Sequence, residues 1–554
     1  MTEYLSDFIE EQMDEKDIPG LSLSLVDNSN TVWQKGFGYS NKKEKLLADS
    51  ETVYAIGSLT TLITATAIMH LIQNKKFNLD DKIATLIPEV LISNSTFLDR
   101  SISVRDLLTH HSGLANAKHK GMWSSAPEHF HTSIQHALSQ PSPYPAMTLY
   151  SHSNIGYSLL GIIIEKFSHK TYQNFINENV LPAMELSNTG FYPQMKHRKK
   201  LSLNYKEGEK KEFLQPRDTP ALGLYSNAED LGKLAQFFLS TKKNHFLNPS
   251  SKNEMLRVQN ANVILDIEKK IGLGWSLGGT KINNAGLVIH RYGTSLFHRS
   301  RIVLMPEHDV SVVVIANDST SFRAVEEISN QIVTQYLKLK HGIEAIKISE
   351  LNDEKPLFTT TKFAQRYATR IGLVTLQTEN QHLKANVMGW NFKLNNSENK
   401  WFTIEYRIFG MLPLKLDWII DLKVTAVEIE GLNYLISYYK GTQFLFGQAL
   451  THTANINTSW GNRIGEYELT NSDELSELYE VKNGKIKILN KILVFEHKLP
   501  FWFPLHFQLP IIPLNENQAR IAGVGTGYNE TIQITKNNDT EFINFSGYLL
   551  KRTN

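Results

Sequence analysis

Leu5, Phe8, Ile9 and Met13 recur at three- and four-residue steps, which predicts an amphipathic helix over about residues 4–16, ended by Pro19-Gly20. From Leu21 to Val26 apolar residues alternate with Ser22 and Ser24, the two-residue period of a strand. Asp27-Asn28-Ser29-Asn30 reads as a turn, and Thr31-Val32-Trp33 resumes the strand. After Ser58 the helical period returns, with Leu59, Leu62, Ile63, Ile68, Leu71 and Ile72 on the buried side, and more helices follow to about residue 240. Strands are expected again near Gly272-Leu273-Gly274-Trp275, at Ser300 to Met305 and at Val310 to Ile315, before a helix from about Phe322 to Lys338. Helices inserted between strands from both ends of one region imply an α+β layered fold.

From about residue 345 the long helical patterns give way to short strand-like runs between polar turns, the spacing of antiparallel barrels or sandwiches. Lys384 to Trp401 and Lys485 to Glu496 look alike, and each leads to a Pro-Leu segment, at Pro413-Leu414 and Pro504-Leu505. This predicts a first domain over 1–345 and two small antiparallel β domains, barrel-like, over 346–455 and 456–554. A chain of 554 residues needs such a division, since single cores stop growing at about 250–300 residues.

Composition narrows the partners. The 58 basic and 56 acidic residues nearly balance, so no nucleic-acid partner is expected. The absence of cysteine excludes disulfides and a thiol nucleophile. The start, Met1-Thr2-Glu3-Tyr4, is acidic and unlike a secretory leader, which leads us to expect a cytoplasmic protein or a mature form. The apolar stretch Leu499 to Leu514 is shorter than the ~20 residues of a membrane span and carries four prolines, so no transmembrane segment is expected.

Candidate chemistry starts at Gly57-Ser58-Leu59-Thr60-Thr61. A serine in the first turn of a buried helix sits where free N–H groups favour developing negative charge, which suits an acyl-transfer nucleophile; a helix-capping serine is the plain alternative. Val104-Arg105-Asp106-Leu107-Leu108-Thr109-His110-His111-Ser112-Gly113-Leu114, Ser153-Asn154-Ile155-Gly156-Tyr157, Gly223-Leu224-Tyr225-Ser226 and Gly272-Leu273-Gly274-Trp275 follow in order. Together these resemble the penicillin-recognising serine hydrolases, in particular their class C β-lactamase, DD-peptidase and esterase branch, over about residues 4–340.

The resemblance implies three motifs around one pocket: Ser-x-x-Lys, Tyr-x-Asn and Lys-Thr-Gly. Ser58 matches the nucleophile, but Thr61 stands at the lysine. Residues i and i+3 share a helix face, so that lysine would take the serine proton; a threonine hydroxyl can only hydrogen-bond. Asn154 matches the asparagine, while His152 replaces the tyrosine and Tyr150 lies two residues earlier. His152 reads equally as a general base or as a loop histidine. In His290-Arg291-Tyr292-Gly293-Thr294 the preferred frame sets Arg291 on the cation and Gly293 on the glycine, and the resemblance assigns oxyanion donors to the backbone of Ser58 and Thr294. Asn154, Arg291, Gly293, Thr294 and Tyr150 are thus the expected substrate-binding residues, with Ser58 and His152 the expected catalytic pair.

No cofactor is expected. His110, His111, His119, His129, His131 and His136 crowd one region but lack the spacing of a known zinc motif, so no metal site is expected either. Two functional readings stand: an acyl-enzyme hydrolase of ester, amide or peptide substrates at Ser58, or a pseudoenzyme that binds a small-molecule or peptide ligand in the retained cleft.

Overall fold

The computed structural model describes residues 1–554 except 29, 92–100, 139–143, 196–197, 241–244, 279–284, 345–353, 380–381, 409–411, 415–421, 451–457, 499–505, 525–529, 538–539 and 554. The expected domain boundaries near 345 and 455 and the segment Pro504-Leu505 lie outside the described residues.

An eight-stranded antiparallel sheet organises the first unit, in the order Lys270–Ile271, Ser276–Leu277, Ile289–Thr294, Arg299–Met305, Val310–Ala316, Gly20–Asp27, Asn30–Asn41, Leu46–Leu47. The first and last parts of the unit meet at its centre, where Leu21 pairs with Ala316 and Asp27 with Val310. Val310–Ala316 is buried at every position, as a strand covered on both faces must be. One face takes Leu5, Ile9 and Met13 of the helix Thr2–Glu15 and Val325, Ile328 and Ile332 of the helix Phe322–His341. The other meets the larger helical core, built on the helices Thr60–Gln73 and Asn154–Ser168. The serines that break the apolar run of the first strand have jobs there: the Ser22 hydroxyl donates to the Asp49 carbonyl at 2.6 Å, and Ser24 backs onto Gly232.

Gly272 to Trp275 departs from expectation. It is a turn between two short strands, with Gly274 at φ +83° over the Ala65 methyl and Trp275 fully buried edge-on against Phe238. The segment reads as strand because it is apolar, but its glycines serve the turn and its tryptophan serves the core.

Both β units are closed eight-stranded antiparallel barrels. The first closes where Trp390–Asn396 pairs with Phe402–Ile408, and carries Leu412–Leu414 as an added strand. The second runs from Gly465–Leu469 round to Tyr548–Arg552. Each of the two similar sequence stretches forms a hairpin: His382–Val387 with Trp390–Asn396, and Asn483–Leu489 with Ile492–Lys498. The first barrel packs Trp401, Ile436 and Leu445 against Leu149, Leu265 and Ile267 of the first unit. The second grips its residues 119–125: the His119 N–H donates to Ser546 Oγ at 2.9 Å and the Gly121 N–H to Asp473 Oδ2 at 2.6 Å. No helix among the described residues is long and apolar enough to cross a membrane.

Candidate functional site

Ser58 lies in a tight turn, Gly57–Leu59, that runs into the helix Thr60–Gln73. Two glycines press this turn onto the strand Ile289–Thr294. A Cβ on Gly57, which holds φ +49°, would meet the Thr294 carbonyl oxygen at 2.2 Å, and one on Gly293 would meet the Ile56 carbonyl oxygen at 2.4 Å. Ser58 and Thr294 are therefore backbone neighbours, the arrangement a pair of oxyanion donors requires.

The lysine position is filled differently. Thr61 is fully buried, donates its hydroxyl back to the Ser58 carbonyl at 2.6 Å, and touches the hydroxyl of buried Tyr157, which donates to the Leu108 carbonyl at 3.0 Å. Among the described residues the Ser58 hydroxyl has no hydrogen-bond partner. Lys118 offers no substitute: its side chain packs against Gly547 of the second barrel.

His152 and Asn154 sit at the start of the helix Asn154–Ser168, where Ser153 caps the Gly156 N–H at 3.0 Å. His152 Nε2 donates to Asn154 Oδ1 at 3.2 Å, and its ring lies 4.3 Å from that of His110. Burial and the Arg291 charge bring His152 down to about 3, so it is a neutral imidazole of very low basicity at neutral pH. His110 faces two donors at once, the Ser153 N–H at 3.1 Å and an Arg291 Nη at 3.2 Å. Burial, His152 and Arg291 hold it well below the usual imidazole range.

Arg291 is the centre of charge. Strand alternation turns Arg291 and Gly293 one way; His290 and Tyr292 turn the other, to the Gly278 carbonyl at 2.8 Å and to Glu326 at 2.7 Å. The Arg291 guanidinium is buried, bonds to His110 and to the Tyr150 hydroxyl, leaves Nε without a partner, and makes no ion pair among the described residues. The Lys269 ammonium lies 4.1 Å above the Tyr150 ring, and burial, then the charge of Arg370 on the first barrel, bring it down to about 8. The nearby carboxylate, Asp266, is already occupied: it accepts from His111 Nε2 at 2.7 Å, from the Tyr150 N–H at 2.6 Å and from Asn260.

The structure thus brings Tyr150, His152, Asn154 and Arg291 together, and sets the turn that holds Ser58 against Gly293 and Thr294. Lys269, Asp266 and Arg370 escaped sequence reasoning because no motif surrounds them; only the folded chain carries 266–270 and the hairpin at 370 to this place. Tyr157 belonged to a quoted motif, but nothing in the sequence tied it to Thr61.

Two further histidines make the unit acid-sensitive. Burial holds His290 at about 3 and His298 at about 4. Both lie below the ordinary 6.5, so the unfolded chain binds protons the folded chain refuses; stability is whole above pH ~6.5 and falls as pH drops toward 4. Between pH 6.5 and 5 the pair should cost on the order of 3 kcal/mol, read as a falling urea midpoint; a midpoint constant over that range would contradict the assignment.

Comparison with known proteins agrees with this fold. A family model described as Beta-lactamase matches residues 5–334. Protein flp of Staphylococcus aureus is 25% identical over 333 residues, 59% of this chain and 65% of that protein. The putative penicillin-binding protein PbpX of Bacillus subtilis is 28% identical over 223 residues, 39% of this chain and 54% of that protein. The chain therefore spans just under two thirds of the length of the first of these and about half of the second. In fold, it is similar to the octameric penicillin-binding protein homologue from Pyrococcus abyssi, with a TM-score of 0.56, 20% identity and coverage of 80% of this chain and 99% of the other. It is also similar to a class C beta-lactamase solved in complex with cefoxitin, with a TM-score of 0.52, 18% identity and coverage of 60% and 98%.

Proposed function

Since the chain belongs to the beta-lactamase family, we propose that its cleft binds a small acyl or peptide ligand through a carboxylate held by Arg291, with Ser58 left unactivated. The observation that carries this reading is the buried Arg291, whose Nε has no hydrogen-bond partner and which has no acidic partner among the described residues. A buried guanidinium without a counter-charge is costly unless an anion joins it, and its planar fork matches a carboxylate. Lys269 and Arg370 add positive potential on the same side. Tyr150, Asn154 and the neutral His152 supply hydrogen-bonding groups around it, and Thr294 offers its N–H to an acyl oxygen. Among the described residues no basic group hydrogen-bonds the Ser58 hydroxyl, which argues against turnover, since a general base contributes roughly 10²–10⁴-fold.

Calorimetric titration with an N-acetylated D-alanyl-D-alanine dipeptide, its carboxamide and benzylpenicillin tests the binding. The two acids should bind and the carboxamide should bind far more weakly. Arg291→Gln should weaken the acids by about 30-fold or more. Equal binding of acid and carboxamide, or an indifferent Arg291→Gln, overturns the reading.

A second reading, acyl-enzyme chemistry at Ser58 with His152 as base, draws on the close approach of Gly57 to Thr294, which keeps the oxyanion donors together. The low basicity of His152 weighs against it.

A further inference from the structure

We propose that His129, His131 and Glu165 form a binding site for one divalent first-row transition ion of the zinc type, apart from the cleft. One ligand atom from each lies within 4.8 Å of the others. His131 Nε2 is 2.9 Å from Glu165 Oε2, and the two imidazole rings stand perpendicular with centroids 4.4 Å apart. Two imidazoles and one carboxylate are the donor set of zinc and its neighbours, not of calcium or magnesium, which favour all-oxygen shells.

The group is held before any ion arrives. Phe130, between the histidines, is buried and anchors the segment. The His129 carbonyl accepts from the Thr132 N–H and hydroxyl, both at 3.0 Å, and the Phe130 carbonyl accepts from the Ser133 hydroxyl at 2.8 Å. Glu165 is aimed by its other oxygen, which accepts the Tyr172 N–H at 2.9 Å, the kind of outer contact that orients a metal ligand. Among the described residues Glu165 pairs with no lysine or arginine; its one side-chain partner is His131. His129 Nδ1 holds only a long 3.5 Å contact from the His131 N–H, so either ring nitrogen is available. Zinc ligands about 2.0–2.2 Å from the ion need only small rotations of the two exposed histidines and the half-buried Glu165. The ion would tie the start of the helix His131–Leu138 to the helix Asn154–Ser168, leaving a fourth position for water.

The test is titration of the tag-free full chain with zinc chloride in a non-coordinating buffer, followed by calorimetry and by thermal unfolding. One zinc ion per chain should bind and raise the melting temperature, while magnesium and calcium should not. His131→Ala and Glu165→Gln should each weaken zinc binding at least about tenfold, and the metal-free melting temperature of His131→Ala, an exposed position, should match that of the unmodified chain. No binding up to about 0.1 mM zinc, or binding that both variants retain, overturns the proposal.

Discussion

Thr61→Lys should raise acylation of Ser58 by a fluorescent penicillin about 10²–10⁴-fold over the unmodified chain. Position 61 follows Ser58 by about one helical turn, so the two share a helix face, and Thr61 bonds back to the Ser58 backbone carbonyl. An amine placed there enters a buried space lined by Tyr157 and the Leu108 carbonyl. Burial disfavours the ammonium, so the lysine would hold a free lone pair near neutral pH, which is what proton abstraction needs. If the backbone N–H groups of Ser58 and Thr294 are the oxyanion donors, as proposed, the closeness of Gly57 to the Thr294 backbone keeps them near the charge that develops. Rates of labelling, with Thr61→Lys/Ser58→Ala as the control, measure this. An unchanged rate in a folded Thr61→Lys protein would mean that more than the base has been lost.

The second large effect concerns stability. Arg217 and Asp218 form an ion pair with both side chains fully buried, at 2.9 Å. The guanidinium also donates to the Lys120 carbonyl at 2.9 Å and the Lys118 carbonyl at 2.7 Å. Arg217→Met would leave the Asp218 charge uncompensated and two carbonyls without their donor, a loss of about 3–5 kcal/mol. The damage should spread, because Lys120 also donates its N–H to the Ser546 carbonyl of the second barrel at 3.1 Å. Calorimetric unfolding should show a lower melting temperature for the first unit, and easier proteolysis near residues 117–121. A shift worth less than about 1 kcal/mol would show that the pair is replaceable.

Much of this was legible beforehand, for reasons that can be named. The central strands announce themselves by alternation and by continuous apolar runs, and Ser58, Asn154 and Gly293 sit in motifs whose spacing follows from shared helix faces and strand alternation. That same alternation separates Arg291 from His290. Closed barrels were within reach from strand spacing alone. The Gly272 to Trp275 turn was not, since an apolar run does not say whether its glycines bend the chain. Nor was the environment of the site: Asp266 and Lys269 come from one place in the chain and Arg370 from another, and their meeting depends on how the first barrel seats on Leu149 and Leu265. His129 and His131 carried no metal signal in the sequence because Glu165 is distant in the chain and meets them only through the packing of two helices.

On the proposed reading Ser58 lacks an activated hydroxyl. This is tested most directly by incubating the unmodified protein with a fluorophosphonate probe and, separately, a fluorescent penicillin, then mapping any adduct by mass spectrometry beside Ser58→Ala. The account predicts no adduct on Ser58 from about pH 6 to 9, a range in which His152 is neutral throughout. A stoichiometric adduct on Ser58 that disappears in Ser58→Ala would contradict it and make the chain an acyl-transfer enzyme with a different base.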